Sequence, residues 1–335
     1  MIDLHLHLDG SLSKEDFIYL LNKEGMPIPD DFPSCIRVPK GCTSLEEYLE
    51  RFDLPCSLMQ SKENLRFVIR SLINRLHALG YIYAEIRFAS QLHTKKGLSQ
   101  KEVIEAVLEG LKEGLIGKKD FDANLILCCM RQADDEINRE TIKAVIEIND
   151  PKIVAIDLAG PEAYRPSLYY KDLFKYALDN KQNVIIHAGE ACGNDSIMEA
   201  IDIGAKRIGH GVHLSFDQTS IKKVKDNNIY FEFCPTSNLQ TTSLPDYKSV
   251  PLKEFKEHDI PVTINSDNMT VSHTDVIKEF RNLFLTFNLS KDDVYYYLNN
   301  SIEASFISGV DKYKMRYLLN ERIDDFYERI IKSHH

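Results

Sequence analysis

Two histidines close to the N-terminus, His5 and His7, alternate with leucines in the segment IDLHLHL. This alternation predicts a β-strand, and residues i and i+2 of a strand share one face. Both imidazoles therefore point to the same side, and two imidazoles on a rigid strand can bind a transition metal ion. A His-x-His pair also suits a solvated strand face, so a metal site needs further ligands from elsewhere in the chain.

Further imidazoles and carboxylates lie at or just beyond the ends of other short apolar runs. These residues are Asp157, His187, His210 and Asp267. Taken with His5 and His7, His187 and Asp267 form a nitrogen-rich set with one hard oxygen, which suits Zn²⁺ and leaves room for a water. The fourth run ends in DLAGP without a lysine that could bridge two metals, so we expect one zinc ion per chain.

Two residues near these ligands have the chemistry of proton carriers. Glu190 follows His187 by three residues, where a carboxyl group can protonate a leaving group, although it also suits an N-cap or a first-turn charge of the next helix. His210 lies between Gly209 and Gly211, which permit a tight turn, and its imidazole can take a proton from an attacking water. His213 is the weaker candidate because it lies beyond the predicted strand.

The elements that would position these groups are short β-branched runs, each followed by a stretch of helical periodicity. After the first strand, the predicted strands are Tyr81–Phe88, Asn124–Met130, Ile153–Leu158, Asn183–His187, Arg207–His210, Ile229–Phe233 and Pro261–Asn265. Eight strands alternating with helices predict a (β/α)8 TIM barrel, whose active site lies at the C-terminal ends of the strands. A doubly wound sheet is disfavoured because no G-x-G-x-x-G follows the first strand.

The connection between the first two strands, about residues 9–80, is long and contains amphipathic segments. Insertions of this kind commonly cover the mouth of a barrel, so we expect a lid, with extra packing as the alternative. The chain has no flexible linker and no repeat, and we expect residues 1–335 to form one domain.

Composition excludes several classes of function. The formal net charge is -10 over 335 residues, and no basic stripe is present, which argues against nucleic acid as a partner. Seven cysteines without a Cys-x-x-Cys pair are typical of a reducing compartment. With no apolar stretch of transmembrane length and no basic segment before the first strand, we expect a cytoplasmic protein that is not bound to membranes, whose oligomeric state the sequence does not reveal.

As a set, these motifs resemble the adenosine deaminase family of metal-dependent amidohydrolases. The matching segments are HLHLDGS from His5, DLAG from Asp157, HAGE from His187, RIGHG from Arg207, CPTSN from Cys234 and NSD from Asn265. They occur in the family's order and extend from the first strand to the last.

The resemblance implies zinc-dependent hydrolysis of adenosine, and of 2'-deoxyadenosine, to inosine and ammonia. It implies that His5, His7, His187 and Asp267 bind the zinc ion, that Glu190 protonates purine N1, and that His210 and Asp267 activate and orient the attacking water.

For the substrate, the resemblance implies that Asp9 contacts the ribose, that the Gly160 N–H contacts N3, and that His7 lies close to the nucleoside. Apolar residues matching Leu45, Leu49 and Phe52 would cover the base, although their spacing also suits a core-facing helix. Asn268 stands where many members have an aspartate that presents a proton to N7. Because an amide carries hydrogens at every pH, we expect purine recognition to persist with altered pH dependence.

Three rival functions remain at this stage. A deaminase of free adenine would share the metal site, but Asp9 favours a nucleoside. A deaminase of AMP or N6-methyl-AMP needs cationic phosphate ligands, for which Arg87 and Arg131 lie near strand ends. A non-catalytic nucleoside-binding relative is disfavoured because Glu190 and His210 are both present.

Overall fold

The computed structural model of the chain describes residues 1–39, 41–42 and 45–332, without the side chains of residues 45 and 46. Its strands form one parallel sheet in sequential order, β1 to β8. The strands are β1 Ile2–His7, β2 Tyr83–Phe88, β3 Asp122–Met130, β4 Ile153–Ala159, β5 Val184–Ala188, β6 Arg207–His210, β7 Tyr230–Phe233 and β8 Val262–Ile264. The predicted barrel is confirmed.

Helices surround this sheet. The α-helices are α1 Lys14–Lys23, α2 Leu45–Leu49, α3 Asp53–Leu58, α4 Lys62–Ala78, α5 Gln100–Leu115, α6 Asp135–Ile148, α7 Lys171–Asp179, α8 Asn194–Ile203, α9 Gln218–Asp226, α10 Pro235–Gln240, α11 Leu252–Glu257, α12 Val276–Phe287, α13 Lys291–Ala304 and α14 Gly309–Lys332. Short 3-10 turns span Asp9–Ser11, Ser34–Ile36, Glu50–Phe52, Ser90–His93, Glu162–Tyr164, Ser167–Tyr170 and Tyr247–Ser249. No helix of the described ranges is long and apolar enough to cross a bilayer.

The barrel closes where the segment after β8 meets β1. The His7 N–H donates to the Asp267 carbonyl at 2.7 Å, and the Asp267 N–H donates to the His5 carbonyl at 2.8 Å. Two segments that are more than 250 residues apart in the sequence therefore meet at the strand termini, which places Asp267 beside the two histidines of β1.

The observed strand bounds differ from the predicted ones by a few residues. β2 begins at Tyr83 rather than Tyr81, β3 begins at Asp122 rather than Asn124, and β8 ends at Ile264 rather than Asn265. Apolar runs report burial, whereas the start of a strand depends on where the neighbouring strand offers partners.

The long connection contains two kinds of helix. α4 packs against α5 so closely that a side chain at Gly110 or Gly114 would collide with Ile69 or Ile73, and α4 is thus an outer helix of the barrel. The preceding residues include α2 and α3, which supply Tyr48, Leu49 and Cys56 to the cavity at the barrel mouth.

Candidate active site

A cavity of about 260 Å³ lies at the C-terminal ends of the strands. Most of the predicted site residues line it: His7, Asp9, Gly160, His187, Glu190, His210, Asp267 and Asn268. His5 is fully buried behind this lining, and its ring centroid lies 4.7 Å from that of His187. The structure therefore brings the whole predicted set together, and His213 does not belong to it.

The proposed metal ligands converge in space. One potential ligand atom from each of His5, His7 and His187 lies within 4.8 Å of the other two. The Asp267 Oδ1 is 3.6 Å from His5 Nε2 and 3.4 Å from His7 Nε2. His5 Nε2 is buried without a hydrogen-bond partner among the described residues, which is costly unless another group occupies that position. Three imidazoles and one carboxylate around an unsatisfied nitrogen fit one zinc ion.

The other ring nitrogens of two of these histidines are held by buried carboxylates. Glu232 lies 2.8 Å from His5 Nδ1, and Asp157 lies 3.1 Å from His187 Nδ1. Arg87 donates to Asp157 at 2.7 Å and to Glu232 at 2.8 Å. Burial alone would raise the pKa of Asp157, but His187 and Arg87 outweigh it and hold the pKa below its usual range. These partners fix the ring orientations and leave Nε2 to face the centre.

A second combination of nearby groups includes Cys234 with His5, His210 and Asp267. Burial raises the pKa of the Cys234 thiol well above its usual value, and its Sγ donates to the Glu232 carbonyl at 3.6 Å. Since zinc binds the thiolate, Cys234 is the weaker ligand, and the four predicted residues remain the better set.

Glu190 has the properties of a general acid. Burial, followed by the charge of Asp267, raises its pKa to about 8, so the carboxyl group holds a proton at neutral pH. Its Oε2 is 3.6 Å from His210 Nε2. Gly193 is the N-cap of α8, so the alternative role of Glu190 as an N-cap is wrong.

The loop that carries Glu190 is held by a residue that our sequence reasoning missed. The buried carboxylate of Glu162 accepts the Gly189 N–H at 2.6 Å on one oxygen. Its other oxygen accepts the N–H groups of Glu190, Ala191 and Cys192 at 3.0, 2.7 and 2.9 Å. Burial would raise the pKa of Glu162, but a hydrogen bond from Ser196 and these N–H groups lower it, so the group is ionised. Only its position two residues beyond Gly160 could have drawn attention to it.

His210 and Asp267 both adopt left-handed backbone conformations, with φ of 62° and 59°. Such conformations cost energy in residues other than glycine and cluster at functional sites. Burial lowers the pKa of His210 to about 4, against the charge of Asp267, so its imidazole is neutral at pH 7. The Asn238 amide lies 3.0 Å from His210 Nδ1 and fixes the ring. Asn238 belongs to the CPTSN segment but was given no role from the sequence.

The chain matches known proteins over almost its full length. The sequence profile of the adenosine deaminase family covers residues 1–324. An adenosine deaminase of Haemophilus ducreyi is 42% identical over 320 residues, covering 93% of both chains. The chain belongs to the adenosine deaminase family. It is thus a hydrolase acting on C–N bonds, in a family of metal-dependent amidohydrolases.

Solved structures agree on the fold. An adenine deaminase from Arthrobacter aurescens superimposes with a TM-score of 0.86 at 23% identity, covering 98% of each chain. An Arabidopsis N6-mAMP deaminase gives 0.85 at 25% identity, covering 96% of this chain and 97% of its own. These two proteins of the same fold are named for different substrates, so the fold alone does not identify the substrate of this chain.

Asp9 and Gly160 face the cavity as the family resemblance requires. Asp9 accepts a weak hydrogen bond from Cys56 Sγ at 3.8 Å, while its Oδ1 is buried without a partner among the described residues. Burial raises the pKa of Asp9 to about 6. Gly160 has φ of 94°, and a side chain there would meet Gln132 Oε1 at 2.3 Å. Only glycine therefore suits this position, and Asp9 keeps one acceptor for a ligand.

The apolar cover of the cavity comes from the long connection. Leu49 and Phe52 line the cavity beside Tyr48, whereas the side chain of Leu45 lies outside the described residues. Tyr48, Val271 and Cys42 form a small apolar cluster against which Leu49 and Phe52 pack. This packing suits the proposed lid, which stays a prediction.

The two arginines considered as phosphate ligands are used elsewhere. Arg87 is fully buried by its contacts with Asp157, Glu232 and the Leu4 carbonyl. Arg131 is also buried, and it donates to the carbonyls of Arg165 and His187 and to Ser167. Neither guanidinium lines the cavity, so the expectation that they could bind phosphate is wrong.

Proposed function

We propose that this chain hydrolyses adenosine, and 2'-deoxyadenosine, to inosine and ammonia with one zinc ion per chain. The observation that carries this proposal is the position of the protonated Glu190 beside His210 and the four converging metal ligands in one cavity. An adenosine deaminase at 42% identity supports the substrate. When bound, zinc supplies Lewis acidity, which lowers the pKa of water to about 7 and makes it a nucleophile at neutral pH.

The residues of the chain then divide the proton transfers. With the Asn238 side-chain amide turned so that its oxygen accepts from His210 Nδ1–H, the neutral His210 takes a proton from the attacking water on Nε2. Asp267 orients that water towards C6 of the purine. Glu190 donates its proton to N1, so the ring accepts the new bond without building up negative charge. His210 then returns its proton to the 6-amino group, and the C6–N bond breaks as ammonia leaves. The C6 hydroxyl becomes the carbonyl of inosine, and its proton returns to the Glu190 carboxylate.

The remaining lining residues hold the nucleoside. Asp9 Oδ1 accepts a hydrogen bond from a ribose hydroxyl, the Gly160 N–H donates to N3, and His7 packs beside the nucleoside. Asn268 donates an amide hydrogen to N7. Leu49 and Phe52 exclude bulk water from the base.

One observation favours a nucleotide as a second candidate substrate. Lys95 lines the mouth of the cavity and is exposed, so its ammonium group can reach a 5'-phosphate. The carboxylates of Asp9 and Asp53 line the same cavity, and their negative charge opposes the attraction of Lys95 for a phosphate. We therefore rank AMP and N6-methyl-AMP below adenosine, and we rank free adenine below it because adenine leaves Asp9 without a partner.

Turnover of adenosine, 2'-deoxyadenosine, adenine and AMP, followed by loss of ultraviolet absorbance and release of ammonia, tests the proposal. The nucleosides should have the highest kcat/KM. Preferred turnover of adenine or AMP would contradict the substrate assignment while leaving the hydrolytic site intact.

A cytoplasmic location also stays a proposal. It is supported by the cysteines, none of which forms a disulfide within the described residues. Fractionation of the source cells with a compartment marker tests it.

A further inference from the structure

One hydroxyl group joins the long connection to the loop after β8. Tyr48 of α2 is buried, and its Oη accepts a hydrogen from Asn268 Nδ2 at 2.7 Å. The same Oη lies 2.8 Å from Ser272 Oγ. Asn268 follows directly after Asp267, so α2 makes this polar contact next to a proposed metal ligand. Tyr48 and Asn268 both line the cavity.

The side-chain amide of Asn268 has hydrogen-bonding groups without partners among the described residues. Its Oδ1 is buried and has no partner among the described residues, although Asn268 itself is only 2% exposed. Tyr48 Oη takes up one hydrogen of Nδ2, and the second amide hydrogen stays available. If the two ends of the amide are exchanged, the hydroxyl donates to Oδ1 and both amide hydrogens are available. In either arrangement, a buried amide with an open N–H borders the cavity.

The other side of the amide is held by backbone. A side chain at Gly10 would meet Asn268 Oδ1 at 1.8 Å, so the amide lies directly against the glycine. Between the Tyr48 hydroxyl and Gly10, the amide has little freedom to rotate. A rigid donor loses less entropy when a ligand binds than a rotating one does.

We propose that Tyr48 is a positioning residue that fixes the Asn268 amide so that it presents an N–H to N7 of the purine. The ligand class is a purine with a hydrogen-bond acceptor at position 7. This inference rests on the proposed function and adds to it the residue that orients the donor. It also joins two parts of the chain 220 residues apart, because α2 must be in place before the donor is fixed.

The test compares two product ligands, inosine and 7-deazainosine, in which a C–H group replaces N7. Neither ligand is deaminated, so their inhibition constants report binding alone. In Tyr48→Phe, which loses only the hydroxyl, the inhibition constant for inosine should rise by roughly threefold to tenfold, as expected for one neutral hydrogen bond. The constant for 7-deazainosine should stay within about twofold, because this ligand has no acceptor to lose.

Tyr83→Phe is the matched control. Tyr83 is a buried tyrosine whose Oη accepts a hydrogen from Asn124 Nδ2 at 2.8 Å, and it lies outside the cavity at the start of β2. Its removal should leave the ratio of the two inhibition constants unchanged. This control separates the loss of any buried hydroxyl from the loss of the one beside Asn268.

Asn268→Ala provides the second arm if Tyr48→Phe folds poorly. It should weaken inosine and not 7-deazainosine, and Tyr48→Phe should add nothing in the double variant. The inference is overturned if Tyr48→Phe weakens both ligands equally, weakens neither, or adds its full effect in the double variant. If the wild-type protein deaminates adenosine but the variants give any of these results, the proposed function stands and only this inference fails. A wild-type protein that does not act on adenosine removes both.

Discussion

Replacing Glu162 by glutamine should affect catalysis without touching any proposed ligand. The Glu162 carboxylate accepts four backbone N–H groups from residues 189–192, the loop that carries Glu190. Glutamine has nearly the same shape, but one of its two ends is an NH₂ group, which is a donor and cannot accept an N–H. The least costly orientation keeps the amide oxygen on the three N–H groups of Glu190, Ala191 and Cys192 and leaves the Gly189 N–H facing NH₂.

The magnitude follows from these four contacts. A buried N–H without a partner costs about 1–3 kcal/mol, and the three remaining hydrogen bonds lose the strength that a charged acceptor adds. We expect the free energy of unfolding to fall by about 2–4 kcal/mol. A displacement of a catalytic group by 1 Å can cost about 100-fold in rate, so kcat should fall by about 10-fold to 100-fold. KM and zinc content should change little, because the proposed zinc ligands His187 and His5 are held by Asp157 and Glu232 and not by Glu162.

Denaturant unfolding, steady-state kinetics and zinc analysis of purified Glu162→Gln measure these effects. Glu199→Gln is the matched control, because Glu199 also accepts a backbone N–H, from Leu168 at 3.1 Å, but in a hydrogen bond that is exposed to solvent. It should behave as the wild type. A Glu162→Gln variant with wild-type kcat and stability refutes the assigned role of the loop anchor, and equal loss of zinc and activity shows that Glu162 acts on the metal site instead.

Three further predictions concern the reacting groups. Glu190→Gln should bind zinc yet lose about 10²–10⁴-fold in kcat. The pKa of Glu190 is raised to about 8 and its protonated form is the acid, so wild-type kcat should fall as pH rises through that value, and the variant should lack this alkaline limb. Asp157→Asn should weaken zinc binding by about 10-fold to 100-fold, because His187 loses the carboxylate that orients it, and competition with a chelator measures this. Asn268→Ala should lower kcat/KM for adenosine by about 10-fold, whereas Asn268→Asp should approach the wild type only at low pH, where the carboxyl group carries a hydrogen; an unchanged kcat/KM in Asn268→Ala would remove the N7 contact.

The barrel and its ligands could be predicted because both depend on short-range patterns. Alternation places His5 and His7 on one face, and the ends of parallel strands must meet at one rim, which also locates His187 and Asp267. The partners of these residues follow no such pattern. Glu232 points into the barrel from the middle of β7, where it looks like any other polar residue of a strand.

The contacts made by loops were equally hidden. Glu162 acts on backbone N–H groups, which leave no signature in the sequence of the loop they belong to. Tyr48 reaches Asn268 only after the chain has folded, across 220 residues. Arg87 and Arg131 lie near strand ends as expected, but the buried carboxylates and carbonyls that occupy them became visible only in the structure.

The central claim is that one metal ion, held by His5, His7, His187 and Asp267, supports deamination of adenosine. The most direct measurement follows ammonia release from adenosine while the metal content per chain is determined, before and after removal of metal with a chelator and its return as zinc. The account predicts one zinc ion per chain, loss of activity with the metal, and recovery in proportion to the zinc returned. Full activity in metal-free protein, or a fully zinc-loaded protein that leaves adenosine unchanged, would contradict it.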